Sequence, residues 1–224
     1  MTVLNRAGIP ALLAMCTMAA LSGATISASG AGGSIPDCSA GNCQVGPGIP
    51  GQFTSDITIL DPGSIAASGN NVTVTLGNIS HTWVGDLQIA LTHVGYSGAT
   101  FLFRPGALTA AGVGNSTDLS GTYRFNNDFS GNPWTAGATL APGDYYPTGV
   151  PFVSTESPFS DFFNGQPAAG TWRLTIYDLS HLDTGTIRDW SLDLQTAAEV
   201  PEPAQALPLL GALLVGAWRL RRRK

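Results

Sequence analysis

Hydrophobic and polar positions alternate along much of the chain between residues 52 and 196. Ile57 and Ile59 alternate with Thr58 and Leu60, and Val72 and Val74 alternate with Thr73 and Thr75 before Leu76. Leu87, Ile89 and Leu91 alternate with Gln88, Ala90 and Thr92, and Phe101 and Phe103 flank Leu102. Trp172, Leu174 and Ile176 alternate with Arg173, Thr175 and Tyr177. A period of two sends successive side chains to opposite faces, so each run predicts a strand with one buried face. The final run, Thr186 to Leu194, breaks parity: Ile187 is on one face, and Trp190, Leu192 and Leu194 are on the other. A β-bulge near Arg188-Asp189 would bring all four to the core side. Turn formers separate the runs at Ser68-Gly69-Asn70-Asn71, Gly95-Tyr96-Ser97-Gly98, Asn126-Asn127-Asp128, Pro142-Gly143-Asp144 and Asp183-Thr184-Gly185. No helical period stands out in this region. The expected fold is all-β, an antiparallel β-sandwich of jelly-roll type.

Charge narrows the partners. Between Gln52 and Thr196 there are four arginines, no lysine and twelve acidic residues, a net −8. Such a surface repels polyanions, so nucleic acid and anionic membrane surfaces are excluded as partners of this region. The basic residues of the chain gather instead at its C-terminus.

Both ends carry a targeting pattern. Met1 to Arg6 holds one basic side chain, Ala7 to Ile26 is uncharged and apolar, and small residues follow. Residues 1–30 therefore read as a secretory signal peptide, with Ser22-Gly23-Ala24, Ile26-Ser27-Ala28 and Ser29-Gly30-Ala31 as candidate cleavage triplets. At the other end, Val200-Pro201-Glu202-Pro203 precedes an uncharged apolar run, Ala204 to Trp218, and then Arg219, Arg221, Arg222, Arg223 and Lys224. Fifteen apolar residues reach roughly 22 Å as a helix, a short membrane span, and the basic cluster holds its end on the cytoplasmic side. Residues 198–224 resemble the PEP-CTERM sorting signal of Gram-negative bacteria. That resemblance implies transient anchoring in the inner membrane by a C-terminal hydrophobic helix. It also implies cleavage near Pro-Glu-Pro by an exosortase-type membrane protease, and delivery to the cell surface or extracellular matrix.

Residues 31–53 read as a Gly/Pro-rich linker. In it, Cys38 and Cys43 are close enough for a small disulfide loop in an oxidising compartment. Two cysteines with no histidine nearby do not make a zinc site.

Residues 54–197 form the expected domain. His81-Thr82-Trp83-Val84-Gly85-Asp86-Leu87-Gln88-Ile89 resembles the early signature of the P domain (P/Homo B domain) of proprotein convertases. Gly170-Thr171-Trp172-Arg173-Leu174 through Asp178, Asp183-Thr184-Gly185-Thr186 and Trp190-Ser191-Leu192 resemble its closing signature. The resemblance implies a jelly-roll sandwich that accompanies a subtilisin-like protease. The residues before Thr54 leave no room for such a catalytic domain in this sequence.

Catalysis is not expected. Acyl transfer needs a nucleophile, a base and an orienting carboxylate, and the chain has three histidines and no Gly-x-Ser-x-Gly elbow. His81 reads as a turn or core hydrogen-bonding residue, and His93 and His181 as surface residues. Asp86, Asp178 and Asp183, with Asp189 nearby, offer hard oxygen ligands on turns for Ca²⁺, or else cap those turns. Asn126, Asn127 and Asp128 offer a second such cluster. Trp134, Tyr145 and Tyr146 lie in Gly/Pro-rich loops, where exposed rings would stack on a sugar or else cover the core ends. Trp83, Trp172 and Trp190 are expected in the core. No cofactor is required. The expected function is binding, with exopolysaccharide or a secreted protease as partner.

Overall fold

Nine strands build the described residues of the computed structural model, which are 23–39, 41, 43–109, 112–134, 140–151 and 156–198. They fall within one compact unit, Gly23–Glu199. The strands are β1 (Thr25–Ile35), β2 (Gln52–Ile59), β3 (Val72–His81), β4 (Leu87–His93), β5 (Ser97–Phe103), β6 (Leu119–Phe125), β7 (Gly143–Tyr145), β8 (Gly170–Asp178) and β9 (Gly185–Gln195). One short helix, α1 (Ser160–Phe163), lies between β7 and β8.

The strands form two sheets, ordered β1-β9-β3-β6-β7 and β2-β8-β4-β5. All pairings are antiparallel except β6 with β7. Without the short edge strand β7, the order is the interleaving of two Greek keys that defines a jelly roll. The alternation has its cause in this layering. Val72, Val74, Leu76, Leu192 and Leu194 of one sheet and Ile89, Leu91, Trp172, Leu174 and Ile176 of the other are buried, with exposed or half-buried residues among them. Aromatic rings fill the middle: the Phe101 ring of β5 lies 4.9 Å from the Phe125 ring of β6 in the opposite sheet. Phe159 and Phe163 of the α1 region close one flank, with Phe163 edge-on to Trp172 at 5.2 Å.

Three features differ from the sequence reading. The boundary drawn at residue 30 between leader and linker falls inside β1, which pairs with β9 from Thr25↔Gln195 to Ile35↔Gly185. Small uncharged residues serve an edge strand as well as a leader end, so composition did not separate them. Next, β9 keeps one register against both β1 and β3, and the irregularity sits in β3, between Leu76 and Ile79 of its pairing with β6. Asn78 there adopts a left-handed φ of 51°, which Asn tolerates better than most residues. Ile79 and Ile187 are both buried beyond that point. Finally, β6 and β7 add two strands that the sequence reading did not pick out.

Candidate functional site

The two motif regions meet at one end of the sandwich. The early one runs from the end of β3 through a 3-10 turn, Val84–Asp86, into β4. The closing one supplies β8, the following loop and β9. Pairing of Leu87 with Asp178 and the bond from Leu179 N to Asp86 O fix their register. His81, fully buried, sits at the centre: Trp83 N donates to its Nδ1 at 3.1 Å, and its Nε2 lies 3.3 Å from Asp178 Oδ2. Ser180 N donates to Asp178 Oδ1 at 3.1 Å, and Thr82 Oγ1 donates to Asp183 Oδ1 at 2.7 Å.

Asp86 is the electrostatic anomaly. Its carboxylate is buried, with Arg104 Nη2 4.0 Å from Oδ1. Burial first, then the negative charges of Asp178 and Asp183, push its pKa up to about 7, against the pull of Arg104 and His81. A cleft of about 200 Å³ opens beside it, lined by Trp83, Asp86, Val113, Ser180, His181 and Asp183. The segment before β2 covers this end. Cys38 and Cys43 are disulfide-bonded, His181 Nδ1 lies 3.0 Å from Cys38 O, and Asp37 accepts from Leu182 N.

The candidate calcium ligands are not assembled as such. Asp178 is held by His81 and Ser180, and Asp183 by Thr82. Among the described residues no group of three or more His, Cys, Asp or Glu side chains is arranged to hold a metal ion. Ca²⁺ needs six to eight oxygens, and here Asp178 and Asp183 clamp strand and turn, while the Asp86 carboxylate has Arg104 Nη2 at 4.0 Å. The second cluster also clamps the fold: Asn126 Nδ2 donates to Val72 O at 3.0 Å and Thr73 Oγ1 at 2.9 Å, Asn127 Oδ1 accepts from Phe159 N, and Asp128 accepts from Asn70. Asp189 accepts from Arg188 on the surface.

The aromatics divide. Tyr145 is buried and donates its hydroxyl to Ala141 O at 2.6 Å, so it presents no ring to a ligand. Trp134 and Tyr146 are half-buried. Trp172 and Trp190 are core residues, while Trp83 is half-buried and donates Nε1 to Val113 O.

All three histidines have structural duties. His93, expected at the surface, is fully buried, stacked 4.2 Å from Trp172 and 4.3 Å from Tyr96, with Nδ1 3.0 Å from Gln166 Oε1. Its position at the end of β4 hid this, because the cover comes from residues 166–169, far away in sequence. His181 is exposed and pairs with Asp37 at 3.2 Å. The sorting residues Val200, Pro201, Glu202 and Pro203 and the basic residues Arg219, Arg221, Arg222 and Arg223 lie outside the described residues, as does most of the leader. No helix among the described residues is long and apolar enough to cross a membrane.

Residues 150–194 match the family model of the proprotein convertase P-domain. The match takes in β8, the Asp178–Asp183 loop and β9 up to Leu194; the early motif, His81 to Ile89, lies outside it. No curated protein matches the chain. Among solved structures, the serine protease of Aeromonas sobria is similar at 12% identity and a TM-score of 0.40, over 78% of this chain and 27% of that one. The complex of that protease with its chaperone gives the same identity and TM-score, over 78% and 28%. The chain spans about a quarter of the length of these structures, and the likeness is too distant to carry function.

Proposed function

We propose that this protein is an exported, non-catalytic β-sandwich that acts by binding and is displayed at the cell surface or in the extracellular matrix of a Gram-negative bacterium. The observation that carries the non-catalytic reading is the use of its histidines. His81 is locked against Asp178 and Trp83, His93 is stacked in the core, and His181 ties down the disulfide segment. A general base must reach a substrate, and neither buried ring can. The sorting route rests on the sequence at residues 200–224: an exosortase-type membrane protease would cut near Pro201-Glu202-Pro203 and release the domain from its short membrane segment. On this reading exopolysaccharide is the ligand class we propose. Trp134 and Tyr146 are the aromatic residues at hand for it.

A second reading is favoured by the match of residues 150–194 to the proprotein convertase P-domain model. On it, the sandwich is an accessory that stabilises or regulates a secreted subtilisin-like protease encoded elsewhere. Affinity isolation of the native protein separates the two. Retained polysaccharide supports the first, and a co-purifying protease supports the second. Hydrolysis of peptide or ester substrates by the purified chain alone would remove both.

A further inference from the structure

The strand β1 carries information about processing that the leader sequence does not. Small residues at the first and third positions before the cut are what a leader endopeptidase reads: Ser22-Gly23-Ala24 and Ser29-Gly30-Ala31 fit, and Ile26-Ser27-Ala28 has a small residue at the first position but Ile26 at the third. The fold distinguishes them. β1 begins at Thr25, and its pairing with β9 starts there, at Gln195. Thr25 Oγ1 donates to Gln195 Oε1 at 3.0 Å, and Ser27 Oγ donates to Asp193 Oδ1 at 2.6 Å. Ile26 and Ala28 pack against the core.

A cut after Ala28 would remove four of the eleven residues of β1, with the Ile26 and Ala28 contacts. A cut after Ala31 would remove seven, leaving most of β9 as a bare edge beside Trp190. Unpaired edges of that length template the pairing of other chains. A cut after Ala24 removes none. Ala24 is exposed, and that cut gives up only its hydrogen bonds with Thr196, outside β1.

We propose that the leader is removed by hydrolysis of the Ala24–Thr25 peptide bond, so that the mature protein starts at the first residue of β1. Water adds across the bond. Its oxygen goes to the Ala24 carbonyl carbon, which leaves as a carboxylate, and the C–N electron pair departs with the Thr25 nitrogen, which becomes an α-ammonium. A membrane-bound leader endopeptidase is the catalyst. The proposal rests on the reading of the N-terminus as a leader, and the test separates the two.

The test expresses the full chain in its own host and sequences the N-terminus of the exported protein. The expected sequence is Thr-Ile-Ser-Ala, from Thr25. A start at Ser29 or Gly32 overturns the proposal and keeps the leader; a start at Met1 overturns both. Two variants check the assignment at exposed positions. Ala24→Leu places a bulky side chain before the cut and is expected to leave at least a tenfold excess of the unprocessed chain. Ala31→Leu is expected to give the same Thr25 terminus as the parent. The reverse pattern overturns the proposal.

Discussion

At the residue scale, Asp86 is the most sensitive position. Its pKa in the folded protein is about 7, well above the ordinary carboxylate value, so the folded state binds the proton more tightly than the unfolded one. The resulting stability is fully present below about pH 4 and is lost as pH rises through about 7. Asp86→Asn should therefore raise the melting temperature at pH 8 and change it little at pH 4; an unchanged pH profile contradicts the assignment. Gly30 is a second such position. A Cβ there would lie 2.1 Å from Trp190 Nε1, and that nitrogen is held by Ser55 Oγ at 2.9 Å. Gly30→Val should cost roughly 1–3 kcal/mol in denaturant unfolding. The exposed Arg173–Asp56 pair, although bidentate at 2.7 and 2.8 Å, should contribute less than about 1 kcal/mol in a double-mutant cycle. The sequence offered Asp86 as a turn carboxylate for Ca²⁺, but neither its burial nor the crowding at Gly30 was legible there. An aspartate on a turn and a glycine in a small-residue run look ordinary until a distant strand closes over them.

At the element scale, alternation worked, in central and edge strands alike, where apolar and polar residues contrast along the strand. The runs at Val72, Leu87 and Trp172 became β3, β4 and β8, because a half-buried strand must write its two faces into its sequence. It failed for β1, whose Thr, Ser, Ala and Gly residues contrast too little in polarity to show two faces. It also misplaced the local irregularity. Four apolar residues of mixed parity in β9 called for a distortion, but the distortion sits in β3, at Asn78. The candidate site was half legible. The two motifs were visible, and their meeting through His81 and Asp178, 97 residues apart, was not. The turn residues Asn126 to Asp128 were seen as ligands, yet they bolt the loop to β3 and to Phe159. Trp172→Ala, which empties a fully buried position near the start of β8 and removes one of the two rings stacked on His93, should cost roughly 3–5 kcal/mol, measured as a fall in the denaturation midpoint.

At the scale of the whole molecule, the sandwich is held by apolar packing and by carboxylates used as clamps. EDTA should therefore leave the melting temperature unchanged; a fall that Ca²⁺ reverses would contradict the assignment of Asp178 and Asp183 to the fold alone. The two ends of the folded unit lie side by side, since Ala24 and Thr196 are hydrogen-bonded. On the proposed route to the surface, leader and tail would both be removed without disturbing β1 or β9. The most direct measurement is the intact mass of the protein recovered from the surface of its host, read for its C-terminus. A chain ending near Glu202 or Pro203 is the predicted result. A chain that still carries Arg221 to Lys224 would contradict surface display and leave the sandwich tethered to the membrane by its tail.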